Sequence, residues 1–198
     1  MDYRKINMKL KSIEIYGFKS FAEPIQLNFN QPVSIIVGPN GSGKSNISDA
    51  VWWVLGEQSA KNLRGGTMQD IIFAGTEKKQ ALNYARVTIT FDNETGDIPL
   101  EYKEISITRK LFRNGESEYY INKSQVRLKD IRELFMDTGI GKEGYSLIGQ
   151  GKIDEIISGN SDVRREIFEE ASGVTKYKYK LENSIRKLEK TKDEDRKS

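Results

Sequence analysis

The segment Gly38-Pro-Asn-Gly-Ser-Gly-Lys-Ser45 constrains the fold more than any other part of the chain. It fits the pattern G-x-x-x-x-G-K-[ST]. It follows a short apolar run, Val33, Ile35, Ile36 and Val37, and it opens a stretch with helical apolar spacing at Ile47, Ala50, Val51, Val54 and Leu55. A strand, a glycine-rich turn and a helix in that order form a phosphate cradle. Its glycines let backbone N–H groups turn onto phosphate oxygens, and the helix N-terminus adds positive potential. Gly38, Pro39, Asn40, Gly41, Ser42, Gly43, Lys44, Ser45 and Asn46 are the candidate nucleotide-binding residues. Lys44 is expected to bridge the β- and γ-phosphates of ATP, and the Ser45 hydroxyl to ligate Mg²⁺. An ordinary glycine-rich turn before a helix is the competing explanation, and the context disfavours it.

Around this motif the pattern is α/β. Residues 9–37 read as strands: Leu10, Ile13, Ile15 and Phe18 in one that bends near Gly17, then Ile25, Leu27 and Phe29 in a half-buried one. The run 33–37 predicts a central strand covered on both faces. A helix is expected over 44–56 with Gly56 at its C-terminal cap, and Gly65-Gly66 marks a loop. Residues 86–91 alternate as a strand. Residues 103–122 predict a hairpin whose Asn114-Gly115 suits a type I′ turn, and Ser124 to Met136 predicts a helix. Ala171, Val174, Leu181, Ile185 and Leu188 then recur like coiled-coil positions, interrupted by Lys178, and residues 189–198 contain no apolar side chain. Such a seam needs a second helix to cover it. The chain is therefore expected to be an incomplete unit, with residues 1–160 forming a lobe and 161–198 the start of an outgoing antiparallel neck helix.

Composition narrows the chemistry. The 198 residues contain neither Cys nor His, which excludes thiolate and imidazole metal sites, Cys nucleophiles and Ser-His-Asp triads. No run approaches the ~18 apolar residues of a spanning helix, and Met1–Lys11 lacks the apolar core of a signal peptide. A cytoplasmic protein without membrane contact is the expectation. The net charge of +3 does not by itself mark a nucleic-acid binder. Hydrolysis of ATP needs a Mg²⁺-holding acid at the end of another buried strand and a Glu to polarise water. No such run is present: Leu134-Phe-Met-Asp137 lies on an expected helix without a following Glu. Ile157-Ser-Gly-Asn160 lacks the second glycine of an LSGG motif. These residues encode half of an ATPase.

A longer series of motifs carries a specific resemblance. It comprises Gly17-Phe-Lys-Ser-Phe21, the phosphate loop, Trp53-Val-Leu-Gly-Glu-Gln-Ser59, Leu63-Arg-Gly-Gly66 and Asp70-Ile-Ile-Phe-Ala-Gly75. It continues with Val126-Arg-Leu-Lys-Asp-Ile131, Gly149-Gln-Gly-Lys-Ile153 and Phe168-Glu-Glu-Ala-Ser-Gly173. In this order they resemble the N-terminal half of the ATPase head of the bacterial structural-maintenance-of-chromosomes (SMC) family of condensin-type ATPases, over Leu10 to about Lys180. A doubled aromatic at Trp52 and the extra residues 1–7 are mild departures.

The resemblance implies an ABC-type P-loop head lobe with a mixed sheet. It implies ATP and Mg²⁺ as cofactors, with Gln150 as the glutamine that senses the cation and the attacking water; from the residues alone Gln150 reads equally as a glycine-flanked turn residue. Arg64 corresponds to an arginine beside the γ-phosphate, where residue type alone would suggest a solvated loop. Lys19 and Ser20 would lie on an edge strand whose turn approaches the nucleotide. Lys61, Arg64, Arg127, Lys129 and Arg132 would face DNA and contact phosphates without reading sequence. The implied partners are the protein's own C-terminal lobe with its Walker B and signature motifs, a second head in a homodimer, a kleisin subunit at the neck, and double-stranded DNA of the nucleoid. Two related readings compete, a double-strand-break-repair ATPase head and an ABC transporter nucleotide-binding domain. The outward seam-bearing helix argues against the transporter, and the match through 127–129 and 169–173 against the repair enzyme. A coiled-coil structural protein with a degenerate loop is disfavoured by the intact Gly38, Gly41, Gly43, Lys44 and Ser45.

Overall fold

The computed structural model describes residues 9–136 and, beyond them, the helical positions Arg165, Leu181, Ser184, Ile185, Leu188, Glu189, Thr191 and Lys192. The chain divides into two compact units, Met1–Lys142 and Glu143–Ser198.

Strict alternation of apolar and polar residues builds the first unit. Strands β1 (Lys9–Tyr16), β2 (Ile25–Asn28), β3 (Tyr84–Asp92), β4 (Glu104–Phe112), β5 (Ser117–Ile121) and β6 (Ser124–Val126) form one six-stranded sheet in the order β2-β1-β3-β4-β5-β6. Every described pairing is antiparallel. Cross-strand rows follow from the register: Leu27, Ile13, Ile89, Ile107 and Ile121 stand side by side, and in the next row Ile25, Ile15, Val87, Arg109 and Tyr119. Ile13, Ile15, Val87, Ile89, Ile105 and Ile107 are buried to 1% exposure or less. Each such side chain contributes about 1.5–3 kcal/mol by leaving water. The opposite face is half-exposed and polar, with the Thr88 and Thr108 hydroxyls 2.9 Å apart.

Helix α1 (Lys44–Val54) lies against β3 and β4. It buries Ala50, Val51, Trp53 and Val54, and the Trp53 ring packs on Phe18 at 5.4 Å between centroids. Gly56 has φ +115° just beyond the helix, as expected of a C-terminal cap. Helix α2 (Leu128–Met136) packs back through Ile131 and Phe135, the latter 5.5 Å from the Phe91 ring.

Several expectations change. The run 33–37 is not a strand: Val33 is 75%, Ile35 81%, Ile36 44% and Val37 84% exposed, and the segment has irregular backbone. A strand of this composition is stable only between neighbouring strands, and the sheet ends at β2 without enclosing it. The turn after β4 is not type I′. Gly115 alone has positive φ, and the Gly115 amide bonds the Phe112 carbonyl at 2.9 Å, so a type I turn precedes a left-handed glycine. The two-residue turn with both φ positive is instead Asn122-Lys123, between β5 and β6, and Ser124–Val126 is a strand where the sequence pattern predicts a helix. Leu181, Ile185 and Leu188 are helical and exposed, consistent with an apolar stripe.

Gly17 shows how tightly the end of β1 is determined. Its φ is +63°, and a Cβ placed there would stand 2.3 Å from the Tyr84 carbonyl oxygen. Phe18 then bridges to Ile72, and the Phe73 amide bonds the Gly17 carbonyl at 2.8 Å. Gly17→Ala is expected to destabilise the chain by at least about 2 kcal/mol, from the left-handed backbone plus the overlap. A urea titration should show a lower midpoint for Gly17→Ala than for Gly41→Ala. Gly41 has φ +82°, and a methyl group placed on it would meet no atom within 4 Å, so its cost is conformational alone.

Candidate functional site

The phosphate loop and the first turn of α1 are built as an anion site. Gly43 is the N-cap residue in left-handed conformation, and it supplies no side chain to bond the free amides of the first turn. No acidic residue lies in that turn. The helix therefore presents uncapped N–H groups and unopposed positive potential. Residues 39–42 form a turn in which the Ser42 amide bonds the Pro39 carbonyl at 3.3 Å. Lys44 Nζ folds over the loop and donates to the Gly38 and Pro39 carbonyls at 2.6 and 2.7 Å. Ser45 is exposed on the first turn. The open space over Gly41, the uncapped amides and the ammonium held above the loop fit a polyphosphate, and the Ser45 hydroxyl is a hard oxygen ligand suited to Mg²⁺.

Lys19 and Ser20 lie in the turn after β1 and not on an edge strand, since β1 ends at Tyr16 and is paired on both sides by β2 and β3; they and Arg64 reach this site from two other segments. Asn46 Nδ2 donates to Ser20 Oγ at 2.8 Å, and Ser20 and Phe21 sit against Gly43, where a Cβ would lie 2.9 Å from Ser20 Oγ. Lys19 Nζ bonds the Asp49 carboxylate and the Leu63 carbonyl, the latter at 2.5 Å. Arg64 Nη2 bonds the same Asp49 carboxylate and lies 3.4 Å from Asn46 Oδ1. Thus four sequence-predicted residues, Lys19, Ser20, Asn46 and Arg64, converge on the first turns of α1. Asp49 joins them and is absent from the sequence-based candidates. Its position four residues after Ser45 places it on the same helix face, which is the signal that could have found it.

The loop bearing Arg64 is shaped by two carboxylates. Glu57 is buried and accepts from the Gln58 and Ser59 amides at 2.8 and 2.7 Å and from Asn62 Nδ2 at 2.9 Å. Asp70 Oδ2 accepts from the Gly66 and Thr67 amides at 2.9 and 2.7 Å. Hydrogen bonds from Thr67, then Gly66, hold the Asp70 carboxyl below its ordinary value of 3.8. A depressed carboxyl of this kind supports its turn above that pH and loses its effect as pH falls below it.

The other end of α1 is closed by arginines. Arg109 on β4 is buried, donating from Nη1 to the Trp53 and Glu57 carbonyls at 2.8 and 2.7 Å. Its guanidinium stacks over Trp53 at 4.7 Å and over Tyr119 at 5.2 Å. Burial lowers its pKa to about 10, which leaves it charged at neutral pH. Arg132 on α2 donates from Nη2 to the Gly56 carbonyl and to Gln58 Oε1, both at 3.1 Å. Lys61 is exposed on the loop before Arg64, and Arg127 and Lys129 are exposed at the start of α2, paired with Asp130 and Glu133. Gln150 lies outside the described residues.

A phosphate loop opening a helix on an antiparallel sheet, with cations gathered at that helix's N-terminal half, defines the nucleotide-binding lobe of an ABC-type ATPase head. The family model described as the RecF/RecN/SMC N-terminal domain matches residues 9–175. The chain belongs to that family. It is 58% identical over 186 residues, 94% of its length, to the chromosome partition protein Smc of Clostridium kluyveri. It is 55% identical, again over 94% of its length, to the Smc of Bacillus subtilis. The chain spans about 16% of the length of these curated relatives. A solved Smc head domain with an extended coiled coil, from Pyrococcus furiosus and bound to the C-terminal domain of ScpA, is 33% identical. It matches with a TM-score of 0.79 over 94% of this chain and 47% of that one. A structure described by ATP-driven dimerization and DNA-stimulated activation of SMC ATPases is 33% identical with a TM-score of 0.76, over 82% of this chain and 98% of that one.

Arg109 gives the site a stability test. Arg109→Met keeps the apolar stem but removes the hydrogen bonds that the guanidinium donates to the Trp53 and Glu57 carbonyls. It is expected to cost about 2–4 kcal/mol, read as a lowered thermal midpoint, whereas Arg127→Met on the surface should stay within about 0.5 kcal/mol of the parent.

Proposed function

We propose that this chain is the ATP-binding N-terminal half of the head of an SMC chromosome-partition ATPase. The observation that carries the reading is the uncapped start of α1 beneath the phosphate loop, set in a lobe that aligns with SMC heads. Lys44 and the loop amides hold the ATP phosphates, Ser45 and Gln150 hold Mg²⁺, and Arg64 supplies positive charge to the phosphate end. Mg²⁺ when bound withdraws charge from the phosphate oxygens. The exposed apolar run 33–37 is completed by strands of the protein's own C-terminal lobe, which also brings the missing acid and signature motif. ATP engagement joins two heads as a homodimer and hydrolysis releases them. The neck helix begun within 161–198 carries the cycle outward and receives a kleisin, as ScpA binds the Pyrococcus head. Lobe 1–160 and neck 161–198 are the functional divisions, and the protein acts on the nucleoid in the cytoplasm.

Duplex DNA lies along Lys61, Arg127 and Lys129, which are exposed, with Arg132 tying α2 to the end of α1. Steering of chromosomal DNA by such a surface is sequence-independent.

Two outcomes test this. The 198-residue chain should bind ATP through Lys44, losing binding in Lys44→Ala, and turn over essentially none until a C-terminal lobe is added. Turnover near ~1 s⁻¹ from the pure chain, abolished by Lys44→Ala, would overturn the half-ATPase reading. In the ATP-engaged dimer, Arg127→Glu with Lys129→Glu should weaken duplex binding equally for unrelated sequences. The log K against log[salt] slope should flatten by roughly 0.9 for each phosphate no longer neutralised, with nucleotide affinity unchanged in a fluorescence titration.

A further inference from the structure

The ion cluster beside α1 contains two unusual backbones. Among the described residues only four non-glycines have positive φ, and two of them are Lys19 (φ 51°) and Arg64 (φ 59°). The other two form the Asn122-Lys123 turn, where hairpin geometry requires it. A left-handed conformation disfavours a side chain with a Cβ by about 1–2 kcal/mol, and such residues persist where the surroundings over-determine them. Lys19 and Arg64 come from separate segments of the chain, one before and one after α1, yet both side chains end on one carboxylate, Asp49.

Asp49 is well suited to act as a post. Its side chain is 15% exposed, it projects from the rigid helix α1, and it lies on the turn following Ser45. Lys19 is held from three directions: its Nζ by Asp49 and by the Leu63 carbonyl, and its backbone amide by the Ile71 carbonyl at 2.6 Å. Because Leu63 precedes Arg64, the Lys19 ammonium also fixes the start of the arginine's own turn. Arg64 uses only Nη2 on Asp49 and Asn46. Its Nη1 and Nε have no protein partner among the described residues, and its side chain is 53% exposed. Nη2 is therefore anchored, and the Nε–H and the two Nη1–H donors remain available, pointing away from the anchored nitrogen. Two cations and one carboxylate leave one net positive charge at this place, next to a helix end that is itself positive.

We propose that Asp49 is the positioning residue for Arg64. It holds the guanidinium by one nitrogen at the N-terminal half of α1, so that the free donors face phosphate charge developing at the loop, and Lys19 locks the same carboxylate and the Arg64 turn into register. Without this post an exposed arginine side chain samples many rotamers, and only a fraction of them place its donors at the phosphate end. This role deepens the ATPase reading and rests on it.

The test uses the full-length protein, in which this chain is joined to its C-terminal lobe, with Asp49→Asn, Arg64→Ala, the double variant, Asp49→Glu, and Lys44→Ala as a reference. MgATP affinity is measured by titration and turnover at saturation by phosphate release. Asp49→Asn should lower turnover on the order of tenfold with nucleotide affinity within about twofold. The double variant should be no slower than Arg64→Ala, because both substitutions remove one unit. Asp49→Glu, which keeps the charge, should recover a substantial part of the loss and controls for folding. The proposal is overturned by unchanged turnover in Asp49→Asn, by faster turnover, which would make Asp49 a restraint on Arg64, or by losses that multiply in the double variant. Failure of Lys44→Ala to abolish ATP binding would instead overturn the ATPase reading itself, so the two failures are distinguishable.

Discussion

The hydrogen bonds of Arg109 to the end of α1 are the constraint on which the rest of the lobe depends. A helix lying on a sheet through apolar contacts alone can slide, because dispersion and burial have little direction. Arg109 occupies a row that is otherwise apolar, between Val87 and Tyr119, and its guanidinium reaches the Trp53 carbonyl in the last turn of α1 and the Glu57 carbonyl just beyond it. That fixes α1 along its axis against β4. It also places positive charge where the helix is negative, which complements the macrodipole. The Trp53 and Tyr119 rings both contact the cation and compensate for part of its desolvation.

The two ends of α1 are consequently unlike. The C-terminus is closed by Arg109 and Arg132, and the N-terminus carries no capping side chain. Closing one end rigidly makes the open end a defined point in space, which is what a phosphate-binding loop requires. The cations that gather there come from the turn after β1 and from the loop after α1. Both are tied to the same segment, residues 68–73: the first through the bridge of Phe18 to Ile72 and the hydrogen bond of the Lys19 amide to the Ile71 carbonyl, the second through the Gly66 and Thr67 amides donating to the Asp70 carboxylate. Several members of the motif series thereby gain physical roles. Gly17 avoids the Tyr84 carbonyl, Glu57 and Asp70 bind loop amides, and Leu63, Ile71 and Ile72 are buried beneath the arginine's turn.

Much of this is legible from local pattern. Period-two alternation identifies β1, β3, β4 and β5, and helical spacing identifies α1, because one-sided burial imposes those periods on the residues. Positions of the phosphate loop are legible because a G-x-x-x-x-G-K-[ST] stretch before a helix serves few other ends. The run 33–37 misleads for the converse reason. Apolarity reports only a tendency to be buried, and among the described residues no strand pairs with this segment to cover it. The Asn114-Gly115 pair misleads because glycine in a turn allows several geometries. The geometry is chosen by how β4 and β5 splay.

Read alone, the chain shows the glycine-rich loop pattern before a helix, the apolar face of each strand, and the chemistries excluded for want of Cys and His. Those properties follow from residue type and spacing, and they are local. Folding, by contrast, brings Lys19 and Arg64 onto Asp49, sends the Arg109 side chain from an otherwise apolar row to the end of α1, and adds Arg132 from α2. Each of these contacts links segments 15 to 76 positions apart. No spacing rule relates residues so separated; sheet register and helix docking bring them within hydrogen-bond reach.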